Sequence, residues 1–327
     1  MEKVRVAVLG LGNFGHSWAD TIVPACREAE LAAVIDRHEE HWQGIPADIP
    51  RFRDLASACA AVHPELVVNV TPPDRHHAIN EDLLRRGIAV LCEKPIADTL
   101  SAADATGAVL AETNGFLMIG ENYRYQPIFR RAKEILSSGE LGKIHTMDCH
   151  FRHYHPDVSR FYHGTLTHPL LDDVSIHHFD LARYLSGEEA RRVWCQEHDA
   201  PYSWYGARYA DAWLMAEMSG DVRFRYDGTL GSPATSTHWN GEWEIECDRG
   251  VLQIRGEDLI LHLPGDETRR EHFPDALVES RVLELSEACL ALRENRPAET
   301  DYADNRKSFL FLQLALRAAA AGTWIDA

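Results

Sequence analysis

The 327-residue sequence predicts an α/β fold: a doubly wound parallel sheet of the Rossmann type, then an α+β domain with an open, mainly antiparallel sheet. Three observations predict it. Short, continuous apolar runs alternate with helical segments through residue 122, as in a parallel sheet covered on both faces. A glycine-rich turn, Gly10-Leu11-Gly12-Asn13-Phe14-Gly15, separates the first run from the first helix. Beyond residue 122, alternating segments are divided by short turns such as Ser219-Gly220-Asp221, the pattern of antiparallel hairpins.

The first strand is Val4 to Leu9, rich in β-branched residues, and the helix after the glycine turn runs to Glu28. Further strands are expected at Leu31 to Asp36, Leu66 to Thr71, Ile88 to Cys92 and Phe116 to Gly120. Helices at Asp74 to Arg86 and 99–114 connect the last three, and right-handed crossovers then make the sheet parallel. A helix at 126–138 leads to a strand at Lys143 to Phe151, a loop from Arg152 to Pro169 and a helix at 173–186. Six alternating segments follow between Arg192 and Leu263, and helices at 277–294 and 303–321 close the chain. The expected domains are therefore 1–122 and 123–327, with the C-terminal helix able to pack back on the first.

Composition limits the function classes. Apolar residues make up 45% and charged residues 26%, the balance of a packed globular chain. No window holds the roughly 20 apolar residues that a membrane helix needs, and no basic leader precedes the first strand. A net charge of −18 repels phosphate backbones and anionic membranes, so neither nucleic acid nor membrane is an expected partner. Seven cysteines without a Cys-x-x-Cys pair read as free thiols of a reducing, cytoplasmic setting.

The glycine turn has the context a dinucleotide site requires: a strand before, a helix after and an acid at the end of the next strand. Gly10 permits the turn, Gly12 lets a pyrophosphate approach the backbone, and Gly15 lets helix and strand pack closely. The N–H groups of Asn13 and Phe14 open a helix whose dipole attracts the anion. Asp36, 21 residues past Gly15, can accept both ribose hydroxyls and would repel a 2′-phosphate. NAD is thus favoured over NADP, although Arg37 next to it could partner such a phosphate.

Four stretches resemble the glucose–fructose oxidoreductase/inositol dehydrogenase/MocA-type NAD(P)-dependent oxidoreductases. They are VAVLGLGNFG, then Thr71-Pro72-Pro73-Asp74 with His76, then Cys92-Glu93-Lys94-Pro95, then Asp173-x-x-x-His177-x-x-Asp180. The resemblance covers essentially the whole chain. It implies cofactor contacts from Thr71, Pro72, His76, Glu93 and Lys94, and substrate contacts from Lys94, Asn122, Tyr123, Asp173 and His177. It also implies a homo-oligomer through the C-terminal sheet. Lys94 follows a predicted strand at the edge where open α/β sheets bind ligands, and an ammonium there can stabilise alkoxide character. His177 suits the acid–base role, with Asp173 four residues earlier on the same helix face and Asp180 as a structural carboxylate. Here the sequence departs from the family, with Thr167-His168-Pro169-Leu170-Leu171 and Ser175 where relatives carry glycines.

Eight histidines lie between His145 and His178. His153 with His155, and Asp157, His163 or His168, could be assembled into a metal set, but their irregular spacing argues for none. The plainer reading is a polar, aromatic loop with Tyr154, Phe161 and Tyr162 over a sugar-sized site. Trp204, Trp213, Trp239 and Trp243 are expected mostly beneath the sheet or at an interface. The expected function is hydride exchange between nicotinamide and a hydroxyl-bearing carbon of a sugar, sugar acid or cyclitol. NAD-dependent glycoside hydrolysis and a non-catalytic NAD(H) sensor are the alternatives on the same scaffold.

Overall fold

Valines at positions 4, 6 and 8 favour extended backbone and are fully buried in β1 (Val4–Leu9). The computed structural model describes residues 2–154, 166–199, 209–265 and 267–327, with the Asn13 side chain left aside. The helix after the glycine turn is composite: α1 (Asn13–Ser17), a π-helical turn (Trp18–Ile22) and α2 (Val23–Ala25), ending three residues before the expected Glu28. Then come β2 (Ala29–Ile35), β3 (Arg51–Phe52), α3 (Leu55–Val62), β4 (Leu66–Asn69), α4 (His76–Arg85), β5 (Ala89–Glu93), α5 (Leu100–Thr113) and β6 (Leu117–Gly120). All six strands are parallel, in the order β3-β2-β1-β4-β5-β6. The order reverses between β1 and β4, the crevice where doubly wound sheets bind ligands. The two-residue β3 and the helix α3 are too short or too weakly periodic to be read from sequence.

The chain forms two compact units, Met1–Tyr125 with Leu277–Arg306, and Gln126–Ala276 with Lys307–Ala327. The sequence suggests one boundary, after residue 122. The difference lies in α8 (Leu277–Glu294), whose Leu285, Ala288, Cys289 and Ala291 share a core with Val4, Val6, Val8 and Trp18. Polar ties reinforce that packing: Ser286 donates to Glu28 at 3.0 Å, and Arg293 pairs with Glu65 at 2.6 Å.

The second unit contains α6 (Pro127–Ser137), β7 (Ile144–Arg152), α7 (Ile176–Ser186), β8 (Ala190–Asp199), β9 (Tyr209–Met218) and β10 (Arg223–Thr229). It continues through β11 (Glu242–Cys247), β12 (Gly250–Arg255), β13 (Asp258–His262) and β14 (Thr268–His272). After α9 (Tyr302–Ala321), which begins in the first unit, comes β15 (Ile325–Asp326). Among the described residues nine strands run β14-β13-β12-β11-β7-β10-β9-β8-β15, antiparallel except for β7 beside β10. Phe179, Phe224 and Phe311 pack together between the helices and one face of this sheet, Phe179 stacked on Phe311 and both edge-on to Phe224. Trp243 joins them as expected, whereas Trp213 stands 54% exposed on the other face with Tyr209 and Met215. Trp204 lies outside the described residues.

Candidate cofactor-binding and catalytic site

Each glycine of the turn has its own physical reason. Gly10 has φ +92°, and a Cβ there would sit 2.9 Å from the Val70 carbonyl oxygen. A Cβ on Gly15 would overlap the Gly10 carbonyl oxygen. Gly12, with φ −65°, is different: a Cβ there would meet no protein atom within 4 Å. Nothing in the fold needs glycine at 12, but a pyrophosphate approaching the backbone does. The helix start beyond it has no side-chain cap, so no side chain competes with an anion for its first N–H groups. These features fit a dinucleotide. Gly12→Ala should therefore keep or slightly raise the thermal midpoint while weakening NAD binding about tenfold or more, the scale of a lost charge-assisted contact. Calorimetry on folded protein checks both halves of that expectation.

Asp36 follows β2 and is 9% exposed. Its carboxylate accepts from the Leu11 N–H at 2.7 Å, the His38 N–H at 2.8 Å and the His41 ring at 3.1 Å. Burial opposes ionisation, but the His38 and Leu11 N–H groups and the His41 ring outweigh it and hold the carboxyl below its ordinary value. Asp36 thus locks the glycine turn to β2, a task the sequence does not announce. Of roughly four acceptor positions on a carboxylate, three are engaged. Arg37 is exposed and donates to the His38 ring at 2.9 Å.

At the end of β4, Thr71 donates through its hydroxyl to Asn69 at 2.7 Å, and Asn69 donates to the buried Asn80 at 2.9 Å. Pro72 precedes the short turn 73–75. His76 differs from the cofactor contact expected. It is fully buried, with one ring nitrogen 2.7 Å from the Thr71 carbonyl and the other 2.7 Å from the Pro95 carbonyl. Burial lowers its pKa against the pull of the Pro95 and Thr71 carbonyls, and the ring between them braces two loops. Glu93 is likewise engaged from behind, accepting from the Trp18 indole at 2.9 Å. The π-helical turn begins at this tryptophan, a feature common where function distorts a helix. Lys94 comes next, half-buried, before a cis bond to Pro95.

Asn122 is also placed differently from expectation. It is 2% exposed and donates to Ser280 of α8 at 2.9 Å, so it braces a helix; Tyr123 is 6% exposed. Sequence reasoning missed Glu121. Strand register sets Glu93 opposite Gly120 at the end of the ladder, and Lys94 and Glu121 are the residues just past it. Glu121 is 1% exposed and accepts from Asn305 at 3.3 Å. Burial pushes its carboxyl up to about 7, against the pull of Arg124, Lys94 and Asn305. Only its position one residue past a buried strand could have marked it.

In the second unit, Asp173 and His177 do not share one regular α-helix. Residues Leu170–Ser175 form a π-helical turn, and α7 begins at Ile176. Ser175 returns its hydroxyl to the Leu170 carbonyl at 3.1 Å. A π-turn holds more residues per revolution, so the i,i+4 argument does not apply directly. This is the stretch that departs from the family's glycines. His177 is 5% exposed, and Asp173 is half-buried. The neighbouring His178 is fully buried between Tyr226 and the Trp239 carbonyl, and burial drives its pKa to about 3. It is a neutral core residue. Asp180 accepts from Ser308 at 2.5 Å beside Arg183.

His168 precedes the π-turn, stacked on Tyr209 and 2.8 Å from Glu197, whose side chain is 4% exposed. The Glu197 hydrogen bond outweighs burial and raises the His168 pKa. A raised folded value gives stability that is complete below about pH 6.5 and lost as pH climbs through that value. Urea midpoints should therefore fall from slightly acid to mildly alkaline pH, and fall less in His168→Gln. Among the described residues no group of three or more His, Cys, Asp or Glu could hold a metal. His153 instead packs on Trp239. His155, Asp157, Phe161, Tyr162 and His163 lie outside the described residues. No helix among the described residues is long and apolar enough to cross a membrane.

A 3-2-1-4-5-6 sheet with a glycine turn at its switch point and an acid after its second strand defines the dinucleotide-binding class of α/β domain. Residues 4–121 match the oxidoreductase family with an NAD-binding Rossmann fold, and residues 129–257 match the GFO/IDH/MocA C-terminal domain. The chain belongs to this glucose–fructose oxidoreductase/inositol dehydrogenase/MocA family of NAD-binding oxidoreductases. It is 30% identical over 187 residues to the inositol 2-dehydrogenase of Rhizobium meliloti, a match covering 57% of this chain and 56% of that enzyme. The matched stretch thus spans just over half of that enzyme's length. The uncharacterized protein y4oX of Sinorhizobium fredii is 23% identical across 97% of this chain and 94% of its own. An oxidoreductase from Agrobacterium radiobacter, solved with NAD+, L-tartaric acid and magnesium, shares the fold with a TM-score of 0.89, at 21% identity over 99% of this chain and 98% of its own.

Proposed function

We propose that the protein is a dehydrogenase preferring NAD over NADP that acts on a hydroxyl-bearing carbon of a sugar, sugar acid or cyclitol. The observation that carries this reading is Lys94, an ammonium at the carboxyl edge of β5 whose flanking residues are held by Trp18 and His76. Its role is to orient and polarise the reacting oxygen. His177 takes the hydroxyl proton on an imidazole nitrogen, or returns it in the reverse direction. Asp173 orients that ring or holds a neighbouring hydroxyl. The bound nicotinamide supplies two-electron hydride exchange. Asp36, held ionised by backbone N–H groups, supports the NAD preference because a 2′-phosphate would face its charge. Inositol as the substrate of the Rhizobium relative supports the polyol class.

The test is absorbance at the NADH band across sugars, sugar acids and inositols, with NAD and NADP side by side. NADH accumulating with a polyol, and less readily NADPH, is the expected result. Glycoside cleavage without net NADH would replace this reading by the hydrolase, and binding without turnover by the sensor. The open sheet face with Tyr209, Trp213 and Met215 supports a homo-oligomer, which sedimentation reads directly.

A further inference from the structure

The first turn of α8 reaches two strand ends of the parallel sheet. Ser280 receives the Asn122 amide, two residues past β6, and donates to the Leu277 carbonyl at 2.8 Å. The next residue, Arg281, carries its guanidinium carbon 5.2 Å from the centroid of the Phe14 ring. Phe14 belongs to the glycine turn after β1 and is 44% exposed. One helical turn therefore links the carboxyl end of β6 to the turn where the pyrophosphate approaches.

Arg281 is set apart by its place on an aromatic ring of the glycine turn. Arg5, Arg124, Arg131, Arg293 and Arg296 each pair with a carboxylate. No carboxylate among the described residues pairs with Arg281. An aromatic face holds a guanidinium while leaving its N–H fork able to donate at the edge. That fork matches phosphate oxygens, and the turn beside it leaves space above Gly12.

We propose that Arg281 is a cofactor-binding residue: carried on the face of Phe14, its guanidinium donates to the pyrophosphate of the bound dinucleotide. It adds a full positive charge to the partial charge of the uncapped helix start. The exposed Phe14 then has a task, as a platform holding the cation without neutralising it. The assignment rests on NAD binding by the first unit and adds to it a residue from the far end of the sequence.

Titration calorimetry with the full chain tests it, using NAD, ADP-ribose and adenosine. Arg281→Ala should weaken NAD and ADP-ribose about tenfold or more, with a shallower salt dependence, and leave adenosine unchanged. Arg281→Lys should lie between, since an ammonium keeps the charge but not the fork. Unchanged dinucleotide affinity in folded Arg281→Ala would overturn the assignment, as would an equal loss for adenosine. Wild-type protein binding neither NAD nor ADP-ribose would overturn it together with the reading it rests on.

Discussion

Lys94→Met should lower kcat with the best polyol by about 100- to 1000-fold, the usual effect of deleting one preorganised donor to developing negative charge. Methionine keeps the unbranched stem and removes the ammonium, so packing is nearly preserved. The expected size follows from how firmly the lysine is framed. Glu93 before it is held by Trp18 at 2.9 Å, and the Pro95 carbonyl after it faces His76 at 2.7 Å. A side chain positioned by its neighbours needs little reorganisation during reaction. Steady-state rates at the NADH band, with NAD affinity measured separately, check the result. Turnover within about fivefold of wild type would sink the oxygen-polarising role.

His177→Ala should cost roughly 100-fold or more in kcat, the scale of general acid–base catalysis, while NAD binding persists. The pH–rate profile should also lose the limb belonging to the base. His178 cannot substitute, because burial keeps its ring neutral and both its nitrogens face Tyr226 and Trp239. A variant that retained its pH limb and most of its rate would remove His177 from proton transfer.

The parallel sheet was legible because its strands are continuous apolar runs; β1 matches its predicted residues from end to end. The glycine turn was legible because steric need, at Gly10 and Gly15, and ligand access, at Gly12, fall on one short motif. What the sequence concealed depends on side chains meeting across the fold. Nothing local says that Asp36 turns back to the Leu11 N–H, that His76 spans two carbonyls, or that Asn122 braces α8. The π-turn at Leu170–Ser175 was hidden for another reason: its apolar spacing is the one an α-helix would show. The parallel pairing of β7 with β10 needs a crossover that hairpin spacing cannot reveal.

Because α8 supplies Leu285, Ala288 and Cys289 to the core of the first unit, that core is incomplete while the ribosome is still making the second. Through synthesis of the intervening 151 residues, the apolar surface around Val4, Val6 and Trp18 waits without its cover. At about 5–20 residues per second, the nascent half stays sticky for many seconds. Fragments ending near residue 122 would keep that surface permanently bare, so the two halves of this chain are inseparable in biogenesis even though their sheets are distinct.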